Sequence, residues 1–396
     1  MTDATISSIS PEQRSAFTGL APMVAIVFFG FLTVGAPLPV LSLYIHDQLG
    51  FSGFTVGWVI GIQSLVTILS WHRAGTLSDQ RGPKFAVLLG LPLAAASGLL
   101  YLGADFLAGQ PIPALAVLVL GRLLLGAAES LFVTGAMSWG IGRIGAARTG
   151  RVMSWQGIAL YSALGAGAPF GLAMYSLFGF GGVAVFAIAS PLVALAIAAA
   201  LPAVRALGGE RVPFHHVLKL IWRPGTVLML ATVPFAGMAA FLPLDYAAEG
   251  WSGAGVAMAL FGFSYVVVRL IGTQWTDRFG AARVVSLSLA VELAGQFLLW
   301  LAPVGWLATA GAGLTGAGFS LIFPAMGVVA TRRLPAHQRG QAVGNFMAFF
   351  DLAIALAGPL AGLAAGVFGY SSTFLVGGIA VIGSLLLLRS AAASRG

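Results

Sequence analysis

The chain has no cysteine and very little charge. Without cysteine there are no disulfides, no thiol chemistry and no Cys-ligated metal. Only 20 Lys and Arg and 12 Asp and Glu are spread over 396 residues, 8% of the chain, where a soluble domain carries about 25%. So few charged groups cannot coat a water-facing surface. A soluble enzyme, a nucleic-acid binder and a disordered chain are thereby excluded. No G-x-x-x-x-G-K-[ST] loop occurs, which removes ATP as an energy source. No Ser/His/Asp, Cys/His or metal-ligand constellation lies at membrane depth, so neither an enzyme nor a metal site is expected.

What the chain has in abundance is apolar length. Apolar residues make up 59% of the sequence, and the mean hydropathy is +0.96. A spanning helix needs about 20 mostly apolar residues. Twelve such runs are found, at 20–44, 54–72, 85–104, 113–137, 154–176, 183–203, 226–247, 254–272, 284–302, 306–330, 341–365 and 371–389, numbered here as spans 1 to 12. Their length excludes the strands of a transmembrane barrel, which alternate over about ten residues. Nineteen of the 20 basic residues fall on alternate connections, the span ends that flank them, or the termini, and the remaining one, Arg122, lies deep inside span 4. Basic residues concentrate on the cytoplasmic side. Both termini are therefore expected in the cytoplasm, with the polar first 17 residues a short lead-in rather than a signal peptide. The net charge of +8 is scattered through short loops and forms no stripe for nucleic acid.

The chain divides into two halves. The longest basic connection contains Pro202, Gly208, Gly209 and Pro224, and it predicts a six-helix bundle over 1–203, a cytoplasmic linker over 204–225 and a second bundle over 226–396. The segment 150–180 aligns without gaps to 340–370, pairing Gly150 with Gly340, Pro169 with Pro359 and Gly179 with Gly369. The same offset pairs Gly121 with Gly311, Gly126 with Gly316 and Ser130 with Ser320. Two parallel repeats around a midplane site are a transporter plan.

After span 2 the chain reads Gly75-Thr-Leu-Ser-Asp79-Gln-Arg81-Gly82-Pro83-Lys84. This resembles the G-x-x-x-D-x-x-G-[RK]-[RK] signature of the major facilitator superfamily, with Pro83 in place of the first basic residue. A degenerate copy after span 8 carries Asp277, Arg278 and Gly280. The resemblance implies two pseudo-symmetric six-helix bundles, all-α and membrane-embedded, with these loops holding the cytoplasmic side closed in one state. Span 4 carries Arg122-Leu-Leu-Leu-Gly126-Ala-Ala-Glu129, which resembles the R-x-x-x-G motif of the proton-coupled antiporter branch. Span 5 carries Gly165, Pro169 and Gly171, an imperfect likeness of that branch's glycine–proline motif, for which close helix packing is an equally good origin.

Intramembrane charge is costly and marks function by default. Arg122 and Glu129 lie about 10.5 Å apart along one helix face, too far for direct pairing but able to face one cavity. Asp351, near the middle of span 11, is the second candidate for proton or cation binding. Glu292, with Gln296 one turn on, is assigned a structural role on span 9. The resemblance implies that spans 1, 4, 7 and 10 line the central cavity with spans 2, 5, 8 and 11 beside them, which nominates Thr33, Gln63, Trp155, Gln156, Tyr161, Tyr265, Phe323 and Asn345 as lining residues. One position departs from the repeat: Trp71, eight residues before Asp79, stands where Arg269 precedes Asp277. The likeness is to bacterial sugar- and drug-efflux permeases. It implies a monomeric inner-membrane exporter of a small organic molecule, embedded in the lipid bilayer, exchanging its substrate for protons and needing no cofactor beyond the proton gradient. A facilitator or proton symporter for a sugar, organic acid or amino acid is the alternative on the same fold.

Overall fold

A computed structural model describes the backbone of residues 11–145, 148–204, 214–331 and 339–393, and the side chains of 19–145, 148–204, 221–272, 274–330 and 346–390. All regular structure among the described residues is helical. In a bilayer no water is present to bond a free N–H or C=O, so a helix, which satisfies its own backbone, is the form each span takes. Among the described residues, eleven helical runs are long and apolar enough to cross. The longest, Thr149–Ala200, would measure about 78 Å at the α-helical rise, far more than the ~30 Å hydrocarbon layer. It is two spans, because Gly179 interrupts it with φ 65° and ψ −167°. Spans 5 and 6 are thus 149–178 and 180–200, and the twelve expected spans are present.

Several boundaries differ from expectation. Span 1 runs beyond the expected end at 44 through a π-helical turn at Tyr44–Gln48. Span 2 stays helical to Arg81 rather than ending at 72, so Gly75 to Arg81 of the expected loop motif form the last turns of a helix, and span 4 runs to Ile144 rather than 137. Span 7 belongs to a helix that starts at Phe214, so part of the expected 204–225 linker is helical and runs straight through Pro224. Span 10 is broken: Gly305–Phe319 and Ile322–Thr331 meet at Ser320 and Leu321.

The tight turns use glycines at positive φ, where a side chain would be strained. Gly82 at φ 96° joins Gly53–Arg81 to Pro83–Phe106, and Gly280 at φ 84° does the same for the second copy of the loop motif. The repeat partners Gly179 and Gly369 both hold positive φ and both separate consecutive spans. Gly126 lets span 4 (Pro111–Ile144) rest on the Gln63 carbonyl of span 2, and its partner Gly316 lets span 10 rest on the Phe261 carbonyl of span 8 (Ala254–Ile271). The internal sequence repeat is therefore a repeat of packing.

The two halves meet mainly along two crossings, with the Pro37–Leu43 end of span 1 also packed on span 7. Span 2 meets span 11 (Phe346–Phe368) through Gly53 against Gly362, Gly57 against Gly358 and Gly61 against Ala355. Span 5 meets span 8 where Gly165 and Gly262 face each other. The first crossing lies toward the end without basic connections, called the far end below; the other is the basic end. At the far end Tyr370 donates to His46 Nε2 at 2.7 Å, across the halves, while His46 Nδ1 donates to the Phe51 carbonyl at 2.8 Å. The carbonyl fixes the tautomer: Nδ1 carries the proton and Nε2 accepts. Leu99, Phe178, Phe263 and Trp306 are large apolar side chains exposed on the outside of the bundle.

A Gly57→Leu side chain would have to enter the space of the Gly358 carbonyl and is expected to prop the far end open. In a chain with no cysteine of its own, a single cysteine introduced as Phe31→Cys should then be labelled from that end by an impermeant thiol reagent about tenfold faster. Unchanged labelling would show that this crossing does not seal the far end.

Candidate functional site

Spans 2 and 4 run the same way, and the polar residues of span 4 face span 2 in register. Arg122, 1% exposed, donates from Nε to the Val59 carbonyl at 3.2 Å and from Nη2 to the Ile60 carbonyl at 3.0 Å. Its charge is thus spread over a backbone rather than paired with Glu129. One turn past Gly126, Glu129 accepts from Gln63 Nε2 at 2.7 Å, and Thr67 Oγ1 lies 3.4 Å from the same oxygen.

The other side of Glu129 faces a cavity of about 10 Å³, room for about one water. Its walls are Phe31, Thr67, Trp71, Val133 and Leu160 from the N-terminal half and Met347, Phe350 and Asp351 from the C-terminal half. Asp351 is 5% exposed and its Oδ2 has no hydrogen-bond partner. Two carboxyls, one from each half, therefore share one nearly closed space at the interface. An ionised carboxylate buried there needs a proton or another cation to offset its lost hydration.

Beside this space lies an aromatic cluster. Tyr161 and Tyr265 meet across the halves with ring centroids 4.2 Å apart, and Phe319 and Phe350 pack edge-on to Tyr161 at 5.7 and 6.0 Å. Arg269, counted above with the cytoplasmic basic residues, is 3% exposed within span 8 and donates to the Ser320 carbonyl at 2.9 Å. It stabilises the break in span 10, where Ser320 Oγ also donates to the Tyr265 carbonyl at 2.7 Å. The positive-inside count missed it because position, not residue type, separates a loop arginine from a buried one.

The remaining nominated residues are scattered. Gln63 supports Glu129 from behind, and Thr33 is buried with its hydroxyl unpartnered. Trp155 and Gln156 line a separate small cavity among spans 1, 4 and 5, where Gln156 Nε2 donates to the Val133 carbonyl at 3.0 Å. Phe323 packs on Phe346 at 5.4 Å. The Asn345 side chain lies outside the described residues. Glu292 is fully buried on span 9 with neither carboxyl oxygen partnered, while Gln296 Nε2 bonds Thr315 Oγ1 at 3.0 Å. Thr67, Trp71, Met347 and Phe350 were not nominated for the cavity. Only the departure at Trp71 signalled any of them.

In the loop motif, Gly75 is buried and Asp79 half-buried at the basic end of span 2. Arg81 is exposed over the Phe85 ring at 5.2 Å. Lys84 turns into its own half and donates to the Ala199 and Leu201 carbonyls at 2.9 and 2.5 Å, a cation at the C-terminal end of span 6. Asp277, Arg278 and Gly280 are exposed, with Arg278 over the Phe279 ring at 5.3 Å. In the span-5 motif Gly165 makes the cross-half contact, Pro169 borders Gly255, and Gly171 rests on the Ala36 carbonyl of span 1.

Twelve spans in two repeat-related bundles, meeting at a small cavity that both halves line with one carboxyl each, are the architecture of a membrane transporter. The chain belongs to the Major Facilitator Superfamily, whose family model matches residues 23–254 and 239–395. It is 43% identical over 385 residues to an MFS-type transporter of Pseudomonas aeruginosa, covering 95% of each chain. It is 41% identical over 380 residues to another from Burkholderia mallei, covering 95% of this chain and 93% of that one. Among solved structures, the human organic anion transporter MFSD10 superposes with a TM-score of 0.71 at 16% identity, over 96% of this chain and 100% of that one. The nucleoside transporter NupG gives 0.69 at 14% identity, over 94% and 98%. The E. coli fucose:proton symporter gives 0.64 at 15% identity, over 95% and 99%. At these identities the structures share the fold.

Arg122→Leu would remove two charge-assisted bonds to the span-2 backbone at once. The expected loss is about 3 kcal/mol, read as a lower thermal midpoint of the purified protein in detergent. An unchanged midpoint would mean that Arg122 does not hold spans 2 and 4 together.

Proposed function

We propose that the protein is a proton-driven antiporter that exports a small organic molecule across a bacterial inner membrane by alternating access. The basic end faces the cytoplasm, and the proton gradient is the sole energy source, with no cofactor. The observation that carries this reading is the placement of Glu129 and Asp351, from opposite halves, on one cavity between them. Two carboxylates in one such space cannot both stay ionised without a cation between them. Proton uptake and substrate binding then compete for the same two groups. Because each half contributes one carboxyl, the protonation state bears on which way the halves lean, and a ligand shifts that balance by its difference in affinity for the two states. Arg122 contributes a fixed positive field along the Glu129 helix face, and the loop motifs around Asp79 and Asp277 work at the basic end as the two halves rock. The substrate is a neutral, zwitterionic or weakly cationic small molecule of the sugar-, drug- or metabolite-like kind rather than a polyanion; the cavity lining offers two acids and aromatic walls, and no arginine to grip a phosphate. The working unit is a monomer in the lipid bilayer.

In inverted membrane vesicles acidified inside, a transported compound should discharge the gradient only when the protein is present. Glu129→Gln is expected to cut this discharge at least about tenfold while the compound still binds, since the exchangeable proton is gone. Discharge at the wild-type rate would refute a role for Glu129. Proton movement along with the substrate, instead of against it, would make the protein a symporter.

A further inference from the structure

Trp71 and Asp351 are walls of the same cavity, one from each half, and the proposed exchange assigns Trp71 no part. The geometry follows from the helix directions. Spans 2 and 11 are antiparallel and touch at Gly61 and Ala355. From there toward the basic end, Trp71 lies about 15 Å along span 2 and Asp351 about 6 Å along span 11. Side chains lean toward the N-terminus of their own helix. The N-terminus of span 2 is at the far end and that of span 11 at the basic end, so the two side chains lean toward each other. The indole nitrogen is buried with no acceptor in hydrogen-bond reach, and Asp351 Oδ2 is buried with no donor. The indole and the Asp351 carboxyl border the same cavity from opposite halves, with no hydrogen bond from the indole nitrogen between them. A donor and an acceptor, each orphaned and each from a different half, border the same gap.

The repeat sharpens the point. The corresponding positions on the other side of the interface are Arg269 and Tyr161, which lie within electrostatic range of each other. Arg269 already holds the Ser320 carbonyl, and neither it nor Tyr161 offers a carboxylate. Only the Trp71–Asp351 pair contains an acceptor that a proton can switch.

We propose that Trp71 and Asp351 form a proton-operated latch between the two halves: the indole N–H bonds to ionised Asp351 when spans 2 and 11 close toward the basic end, and protonation of Asp351 releases it. The bond to a carboxylate is roughly twice as strong as one to a neutral acceptor, which supplies the difference between the two states. The latch rests on the reading of Asp351 as a proton-carrying group. Among the described residues, the titratable groups facing Asp351 are Glu129 from span 4 and Tyr161 from span 5. His72 and Arg73 follow Trp71 but are exposed, span 7 carries Arg223 and Asp245 only near its ends, and span 12 carries Arg389 only at its basic end.

The test uses the full chain, purified and returned to lipid. Infrared titration follows the protonated carboxyl band that Asp351→Asn removes. In Trp71→Phe, which keeps an aromatic ring and loses the donor, that band should persist to higher pH by about one unit; Trp71→Gln, which retains a donor, should stay near wild type. Trp71→Leu serves as a second donor-free variant should the phenylalanine form not assemble. In proteoliposomes, Trp71→Phe should shift the pH profile of exchange when Asp351 is present and leave it unmoved on the Asp351→Asn background. A band midpoint that ignores the donor, or an equal shift of the profile on both backgrounds, overturns the latch. If Asp351→Asn leaves proton coupling intact, the antiport reading of Asp351 falls, while the infrared titration still decides whether Trp71 and Asp351 are bonded.

Discussion

A bilayer interior holds no water, and every main-chain N–H and C=O at membrane depth must find its partner within the protein. The main chain meets this demand by becoming helix everywhere, which leaves the side chains and the crossings between helices to carry all individuality. Charge is spent on backbone as much as on other charge. Arg122 lies on the carbonyls of span 2, Lys84 on the end of span 6, and Arg269 on the carbonyl freed where span 10 breaks. In each case a cation is held by carbonyl oxygens that water would otherwise serve.

The same constraint shapes the interface between the halves. With no water to expel between two apolar helices, association in lipid depends on close fit, and small residues permit it. Gly57 against Gly358 and Gly165 against Gly262 bring backbones together across the interface, with the Tyr161–Tyr265 pair beside them. Few directional bonds cross here, the Tyr370–His46 contact at the far end being one. A dry, glycine-faced contact resists rocking less than a network of ion pairs would, since little must be broken and resolvated when the halves tilt. The few titratable groups within the interface then weigh heavily on which tilt is preferred.

Although the two halves repeat one another in packing, they differ in chemistry at the centre. The partner of Glu129 in the repeat is Phe319, and the partner of Asp351 is Tyr161. Those two partners pack edge to face at 5.7 Å. One side of the pseudo-symmetric interface is therefore acidic around a small cavity and the other aromatic and filled. A proton changes the first and leaves the second as it was, so a symmetric scaffold acquires an asymmetric response.

Much of this was legible beforehand, and the limits have physical causes. Twelve apolar runs mean twelve helices because lipid leaves no alternative, and the glycines of the 150–180 and 340–370 repeat foretold the shared turns at Gly179 and Gly369. The resemblance of the loop and span-4 motifs pointed to the family to which the chain belongs. Arg122 and Glu129 stood out because charge inside a span is rare. Their partners did not, since Val59, Ile60 and Thr67 are ordinary residues of another helix, and which carbonyl meets a guanidinium depends on how two helices cross. Thr33, Trp155 and Phe323 were nominated from span membership alone, and rotation about the helix axis turned each away from the cavity. Arg269 was counted as a loop residue because its burial depends on span 8 packing against the break in span 10. The sequence by itself determined the medium, the number of spans and the residues too costly to be accidental, because these follow from composition and period. Only the tertiary structure decided which side chains meet across the two halves, because such meetings depend on helix rotation and crossing, to which a linear pattern of apolar residues is blind.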